Sequence, residues 1–276
     1  MSAVRTEDRT IPGRQGAIPV RDYLPAEPRA GAAPVIWLHG GGFVAGDLDT
    51  PESHRVALRL AAAGRLVRAV DYRLAPRPWG RRHSNTPPGH HYPAGLDDVI
   101  DASRALADEH GRIVLGGASA GACLAVTAAQ RMPGTAGLVL CYGIYHAELP
   151  ALPAAVRRRT RGLAGYRQFT PAAVYTMNVN YVGREELLAG GAFPGGADLA
   201  GLPPTLLLDA DFDTLRASGE TFAAELDAAG VPVAHAVVPH SWHGFLNRHR
   251  LNAFRFALTA MNGWLAKRDA ALARTP

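Results

Sequence analysis

The string Gly117-Ala118-Ser119-Ala120-Gly121 is the first place where this chain could carry out covalent chemistry. It falls between a strand-like run at 113–115 and a helical stretch that begins near Ala120. A strand-to-helix turn this tight strains the serine backbone, and only glycine or alanine can flank it without collision. Ser119 is therefore a candidate nucleophile, although a small-residue turn needed for packing alone would read the same way. A serine hydroxyl needs a base to activate it. The segment Pro239-His240-Ser241-Trp242-His243-Gly244-Phe245 follows an apolar run at 234–238 and offers one. An imidazole with an ordinary pKa near 6.5 suits that task. His243, followed by glycine and an apolar helical stretch, is the better base, while His240 reads as a loop residue at the strand end. A metal site built from His240, His243 and His249 lacks an evident carboxylate or fourth ligand, so no metal is expected.

The base in turn needs an orienting acid, and Asp209-Ala210-Asp211-Phe212-Asp213-Thr214-Leu215 supplies three. Asp213 lies furthest into the loop, just before the next helix, where a side chain can reach across the strand ends. Asp209 is read as terminating the strand, and Asp211, the second choice, as making local turn hydrogen bonds. Acyl transfer through serine also creates an oxyanion that preorganised N–H donors must hold. In His39-Gly40-Gly41-Gly42-Phe43, directly after the run Val35–Leu38, glycines leave backbone N–H groups unobstructed. Gly41 and Gly42 are the natural donors, joined by the N–H of Ala120. A merely flexible glycine turn would leave unexplained its position after the strand expected beside that of Ser119.

These residues need a scaffold. Strand-length apolar runs occur at 35–38, 66–70, 113–115, 137–141, 205–208 and 234–238, and helical spacing at 54–63, 94–109, 120–131, 215–229 and 245–266. Such alternation predicts an α/β chain with a mostly parallel sheet covered on both faces. Residues 17–23 alternate like an antiparallel edge strand. No internal repeat interrupts the pattern, and residues 1–276 read as one domain. Two stretches break the alternation. Residues 77–91, rich in Pro, Gly, His and Arg, predict an extended loop. Residues 144–202, with a helix around 171–181, predict a lid over the carboxyl edge of the strands, where α/β folds bind ligands.

Composition excludes several function classes. No stretch approaches the roughly 18–20 uninterrupted apolar residues of a membrane span. Residues 1–10 lack the apolar core of a signal peptide, so a cytoplasmic protein is expected. Cys123 and Cys141 sit in apolar stretches and read as buried thiols. The net charge of +5 is almost all arginine, with Lys267 as the single lysine. The densest run, Arg157-Arg158-Arg159-Thr160-Arg161, lacks interleaved aromatics and any nucleic-acid motif. It reads as a solvated helix face rather than an attractor of acidic substrate.

The order Ser119, Asp213, His243, with the glycine turn before them, resembles the hormone-sensitive-lipase-like branch of the α/β-hydrolases, close to bacterial acetyl esterases and carboxylesterases. The likeness extends to Asp71-Tyr72-Arg73-Leu74-Ala75-Pro76, Tyr92-Pro93-Ala94, Gly201-Leu202-Pro203-Pro204, Leu215-Arg216 and His243-Gly244-Phe245. It implies an α/β-hydrolase fold and hydrolysis of small, short-acyl esters without metal or organic cofactor. It also implies that Asp71 and Arg73 brace the scaffold. Three departures stand out. Only ten residues precede Ile11, in place of the family's amino-terminal helical cap. The pocket is then either more open or covered by a second subunit, so a homo-oligomer is compatible with the sequence. The loop at 77–91 replaces a short connection. Ala118 stands where many members carry an acid, so the hydrogen bonds behind the nucleophile must differ. The lid positions Tyr166, Phe169, Tyr175 and Met177 suit either an acyl pocket or packing. Two other functions fit the same residues: a lyase, cyclase or acyltransferase working on a biosynthetic intermediate, and a non-catalytic binding protein. The resembling fold also serves as a plant hormone receptor, but those receptors lack the histidine present here as His243.

Overall fold

Strand β5 (Val114–Ala118), which leads directly into Ser119, runs near the middle of an eight-stranded sheet. The computed structural model describes residues 4–77, 89–160 and 169–274. The other strands are β1 (Arg5–Ile11), β2 (Ile18–Leu24), β3 (Val35–Leu38), β4 (Val67–Val70), β6 (Gly137–Cys141), β7 (Thr205–Phe212) and β8 (Val233–Trp242). Their spatial order is β1-β2-β4-β3-β5-β6-β7-β8. The first two pairings, β1 with β2 and β2 with β4, are antiparallel, and all the others are parallel. Parallel pairing puts the carboxyl ends of β3, β5, β6, β7 and β8 along one edge, so loops distant in sequence meet there.

The extended segment expected at 17–23 is β2, but it is not the edge. β1 lies outside it, pairing along its whole length from Arg5 opposite Leu24 to Ile11 opposite Ile18. Its sequence, RTEDRTI, has no alternating apolar face, because only Ile11 is buried. Charged side chains on an edge strand also discourage pairing with other chains. Beneath β1 lies a buried ion pair. Asp22 and Arg68 are direct cross-strand partners, with Arg68 Nε and Nη2 donating to the two carboxylate oxygens over 2.7 and 2.9 Å. Arg68 is fully buried and Asp22 nearly so. Glu109 also accepts from Arg68 Nη2 over 3.1 Å, so replacing Asp22 by alanine leaves that guanidinium one partner. The expected cost is about 1.5–3 kcal/mol, to be read as a lowered urea midpoint.

Helices cover both faces. α2 (Ala94–His110), α3 (Ala120–Ala129) and α6 (Arg216–Ala228) contribute Leu96, Val99, Cys123, Phe222 and Leu226 to one core layer with Ile36, Leu38 and Leu140 of the sheet. α1 (Pro51–Ala62) and α7 (Asn252–Leu272) contribute Val56, Leu60, Phe254 and Met261 to the other, against Val35, Trp37 and Val139. Alternate residues of one strand therefore serve opposite layers, as the period of a strand requires. The helix expected at 245–266 is corrected: a short 3₁₀ turn at Phe245–Asn247 comes first, and α7 starts only at Asn252. Gly244 is left-handed, which stops the chain entering a helix directly after His243.

Within 144–202, α4 (Ala154–Arg159) carries Arg157 to Arg159 on an exposed helix face, as read from the sequence, and α5 (Pro171–Val182) matches the helix expected there. Thr170 caps α5 by accepting from the Ala173 N–H at 3.1 Å. Residues 78–88 of the extended loop, with Arg161 and Tyr166, lie outside the described residues. Cys123 and Cys141 are buried free thiols, and burial pushes both well above the ordinary thiol pKa. Among the described residues no helix is long and apolar enough to cross a membrane.

Candidate active site

Ser119 sits between β5 and α3 with φ +53° and ψ −118°, a conformation that side chains rarely adopt. What enforces it is close packing on both sides. A Cβ on Gly117 would come within 2.5 Å of the Gly121 backbone, and one on Gly121 within 2.4 Å of the His39 carbonyl. The turn is pinned by the Ser119 N–H, which donates to the Cys141 carbonyl across 2.8 Å. So strained a serine is held only because the elements around it leave no alternative, a common feature of functional sites.

His243, just beyond β8, brings Nε2 to 3.0 Å from Ser119 Oγ. Its Nδ1 lies 2.7 Å from Asp213 Oδ2, and Asp213 Oδ1 accepts the Leu215 N–H over 3.0 Å. Asp213 is buried, so both of its oxygens are committed to fixed donors. Burial alone would favour neutral His243, but the adjacent Asp213 charge and hydrogen bond outweigh it and raise its pKa above the usual 6.5. The ring is clamped edge-on by Phe169, with centroids 4.8 Å apart, and by Tyr142 at 5.0 Å.

The other two acids of that loop go elsewhere. Asp209 does not end its strand: it lies within β7 and takes the His235 imidazole of β8 at 2.8 Å. Complete burial pushes its carboxyl up to about 6, with His235 opposing that shift. Asp211 is not a local turn residue either. It pairs with Arg159 of α4 over 3.1 Å and accepts the His240 N–H. His240 is the third residue from the end of β8 rather than a loop residue, and its backbone has φ +53°. Among the described residues no group of three or more His, Cys, Asp or Glu is gathered to hold a metal ion.

The glycine turn after β3 packs against the serine. A Cβ on Gly40 would stand 3.1 Å from Ser119 Cβ. Gly41, at φ +114°, could carry no side chain, since its Cβ would lie 2.0 Å from the Ala45 carbonyl. Gly42, at φ +59°, has Met177 Sδ where its Cβ would point. Among the described residues no acceptor takes the Gly41 or Gly42 N–H. Phe43 anchors the turn by stacking on Tyr181 of α5 at 3.9 Å, and the Tyr72 hydroxyl donates to the His39 carbonyl over 2.7 Å. Arg73 forms an ion pair with Asp98 and donates to the Gln15 carbonyl, in keeping with a bracing residue.

A cavity of about 480 Å³ opens over Ser119 and His243. Gly40 to Gly42, Val44, Phe169, Met177 and Leu215 form its apolar wall, and Thr50, Glu52, Asn180 and Asn247 are polar members. Residues 144–202 thus supply part of the wall through Phe169, Met177 and Asn180. Sequence reading missed Glu52, Tyr142 and Asn247. Glu52 looks like an ordinary first-turn helix acid, and only its burial marks it out. Of the arginine run, Arg157 donates to the Leu152 carbonyl and Arg159 is tied to Asp211, and neither lines the cavity.

The family model for the alpha/beta hydrolase fold matches residues 35–247, most of the chain. The chain belongs to the α/β-hydrolases, in the hormone-sensitive-lipase-like branch. It is a carboxylesterase-family serine hydrolase. This hydrolase is 33% identical over 260 residues to the carboxylesterase NlhH of Mycobacterium tuberculosis, covering 88% of this chain and 76% of that one. It is 31% identical over 258 residues to the ethyl acetate hydrolase of Pseudomonas putida, covering 87% and 75%. Among solved structures, the brefeldin A esterase, a bacterial homologue of human hormone-sensitive lipase, superposes with a TM-score of 0.79 at 26% identity, covering 98% and 79%.

Proposed function

We propose that this hydrolase cleaves short-chain acyl esters through an acyl-enzyme on Ser119. The observation that carries the reading is the unbroken relay from Ser119 Oγ through His243 to Asp213, 3.0 and 2.7 Å long, at the floor of the cavity. Ser119 Oγ attacks the ester carbonyl as His243 Nε2 takes its proton, and Asp213 stabilises the imidazolium. The N–H groups of Gly41, Gly42 and Ala120 hold the tetrahedral oxyanion. His243 returns the proton to the departing alcohol, and water then repeats the sequence on the acyl-enzyme. Residues 144–202 act as the lid.

Cavity size and its apolar wall support a short acyl group, with Met177 over Gly42 and Phe169 against His243 closing the space. The relative that is an ethyl acetate hydrolase supports the same reading. A series of p-nitrophenyl esters from acetate to decanoate tests it. We expect kcat/KM to fall at least about tenfold between butyrate and octanoate, since each misfitting methylene in a tight pocket costs on the order of 1 kcal/mol. A flat series rejects the short-acyl assignment. Incorporation of ¹⁸O from water into the acid distinguishes hydrolysis from transfer to another acceptor.

The base works only when neutral. Because Asp213 raises the pKa of His243, kcat/KM should fall with decreasing pH, with its acid limb centred above 6.5. A pH–rate profile with p-nitrophenyl acetate reads that midpoint directly. A limb centred below 6.5 would mean another group controls the reaction.

A further inference from the structure

Ala118 leaves no acid beside the nucleophile, yet a buried carboxylate lies close by. Glu52, in the first turn of α1, is only 4% exposed. Its Oε1 accepts the Gly40 N–H over 2.9 Å, and its Oε2 accepts the Tyr142 hydroxyl over 2.7 Å. Its backbone is held as well: the Trp37 indole donates to its carbonyl, and its N–H donates to Asn247. Gly40 begins the turn that carries the Gly41 and Gly42 N–H groups. Tyr142, just past β6, presents its ring to the edge of His243. Ala118 faces the same core layer as Tyr142 and α1. A carboxylate removed from water is costly even with two good donors, so an acid held here calls for a reason beyond packing.

We propose that Glu52 is a positioning residue for the ester reaction: one carboxylate steadies the oxyanion turn through Gly40 and the base through Tyr142, in the place Ala118 leaves vacant. This rests on the assignment of Ser119, His243 and Asp213 above. The two attachments lie on opposite sides of Ser119, so loss of the carboxylate loosens both the oxyanion donors and the ring behind the base. Binding of ground-state ester, which uses the apolar wall, is little affected. The charge also acts at a distance. The acidic groups acting on His243 are Asp213 and Asp209, from β7 and its loop, and Glu52 from α1, and each favours the imidazolium.

The test uses the whole enzyme with Glu52→Ala, Glu52→Gln and the double variant Glu52→Ala with Ala118→Asp. Stopped-flow release of p-nitrophenol, KM, melting temperature and pH profile are measured for each. For Glu52→Ala we expect the acylation rate to fall about 30–300-fold with KM within about threefold of wild type. Glu52→Gln keeps an acceptor for Gly40, so its rate stays within about fivefold, while its acid limb moves to lower pH. The double variant recovers at least about tenfold over Glu52→Ala. The proposal is overturned if Glu52→Ala acylates within threefold of wild type, if its loss lies in KM, or if the double variant recovers nothing. Should Glu52→Ala fail to fold, Glu52→Gln decides: an unmoved acid limb overturns the proposal. Failure of the underlying triad assignment looks different, because wild-type Ser119 would then resist a fluorophosphonate label.

Discussion

Replacing Ser119 by alanine should lower kcat for p-nitrophenyl acetate by about 10⁴–10⁶-fold while leaving the protein folded. The atom removed is Oγ, held 3.0 Å from His243 Nε2 and the only hydroxyl within reach of that nitrogen among the described residues. Alanine keeps the Cβ, and it also keeps the strained backbone at φ +53° because the packing of Gly117, Gly121 and the β3 end imposes it. Ser119→Gly separates strain from chemistry. It should be as inactive as the alanine variant but more stable, by about 1 kcal/mol or more, because glycine tolerates this conformation. Thermal melts beside a steady-state assay measure both quantities. Retention of near-normal turnover in Ser119→Ala would end the acyl-enzyme mechanism. A Ser119→Gly melt below wild type would mean that the turn is not strained.

The second large effect is at Asp213. Asparagine there should lower kcat by about 10³–10⁴-fold with little change in fold. The reason is a proton in the wrong place. Asp213 Oδ1 accepts the Leu215 N–H, and asparagine can preserve that bond only by turning its amide nitrogen toward His243 Nδ1. The imidazole then carries its proton on Nε2, facing Ser119, and has no lone pair to receive the hydroxyl proton. Asp211→Asn is the internal control. Its carboxylate pairs with Arg159 and accepts from His240, so a loss in kcat under about tenfold is expected. If the two variants lost activity equally, the assignment of Asp213 as the orienting acid would be wrong.

How far the site was readable depended on how local its cause is. The elbow at Ser119 and the glycine turn are written in neighbouring residues, because steric limits at a tight turn act over three or four positions. Asp213 was harder, since three acids share one loop and only the course of β7 past 208 decides which of them clears the strand. β7 continues to Phe212, which keeps Asp209 inside the sheet on His235 and leaves Asp213 at the mouth. β1 was illegible, because a strand whose outer face is all solvent needs no apolar alternation. Glu52 was illegible for a different reason. An acid in a first helical turn is ordinary, and nothing near it in sequence discloses that Gly40 and Tyr142 will close over it.

By itself, then, the sequence determined the fold class and singled out a candidate serine, histidine and glycine turn in a definite order. These follow from periodicity and turn sterics, which are properties of short segments. Only the tertiary structure decided which aspartate meets His243, what clamps that ring, and that Glu52 joins Gly40 to Tyr142. Those outcomes depend on the parallel register of β3, β5, β6, β7 and β8, which brings residues 40, 52, 119, 142, 213 and 243 to one edge. No local preference encodes such a meeting, because its distances are set by the packing of the whole sheet.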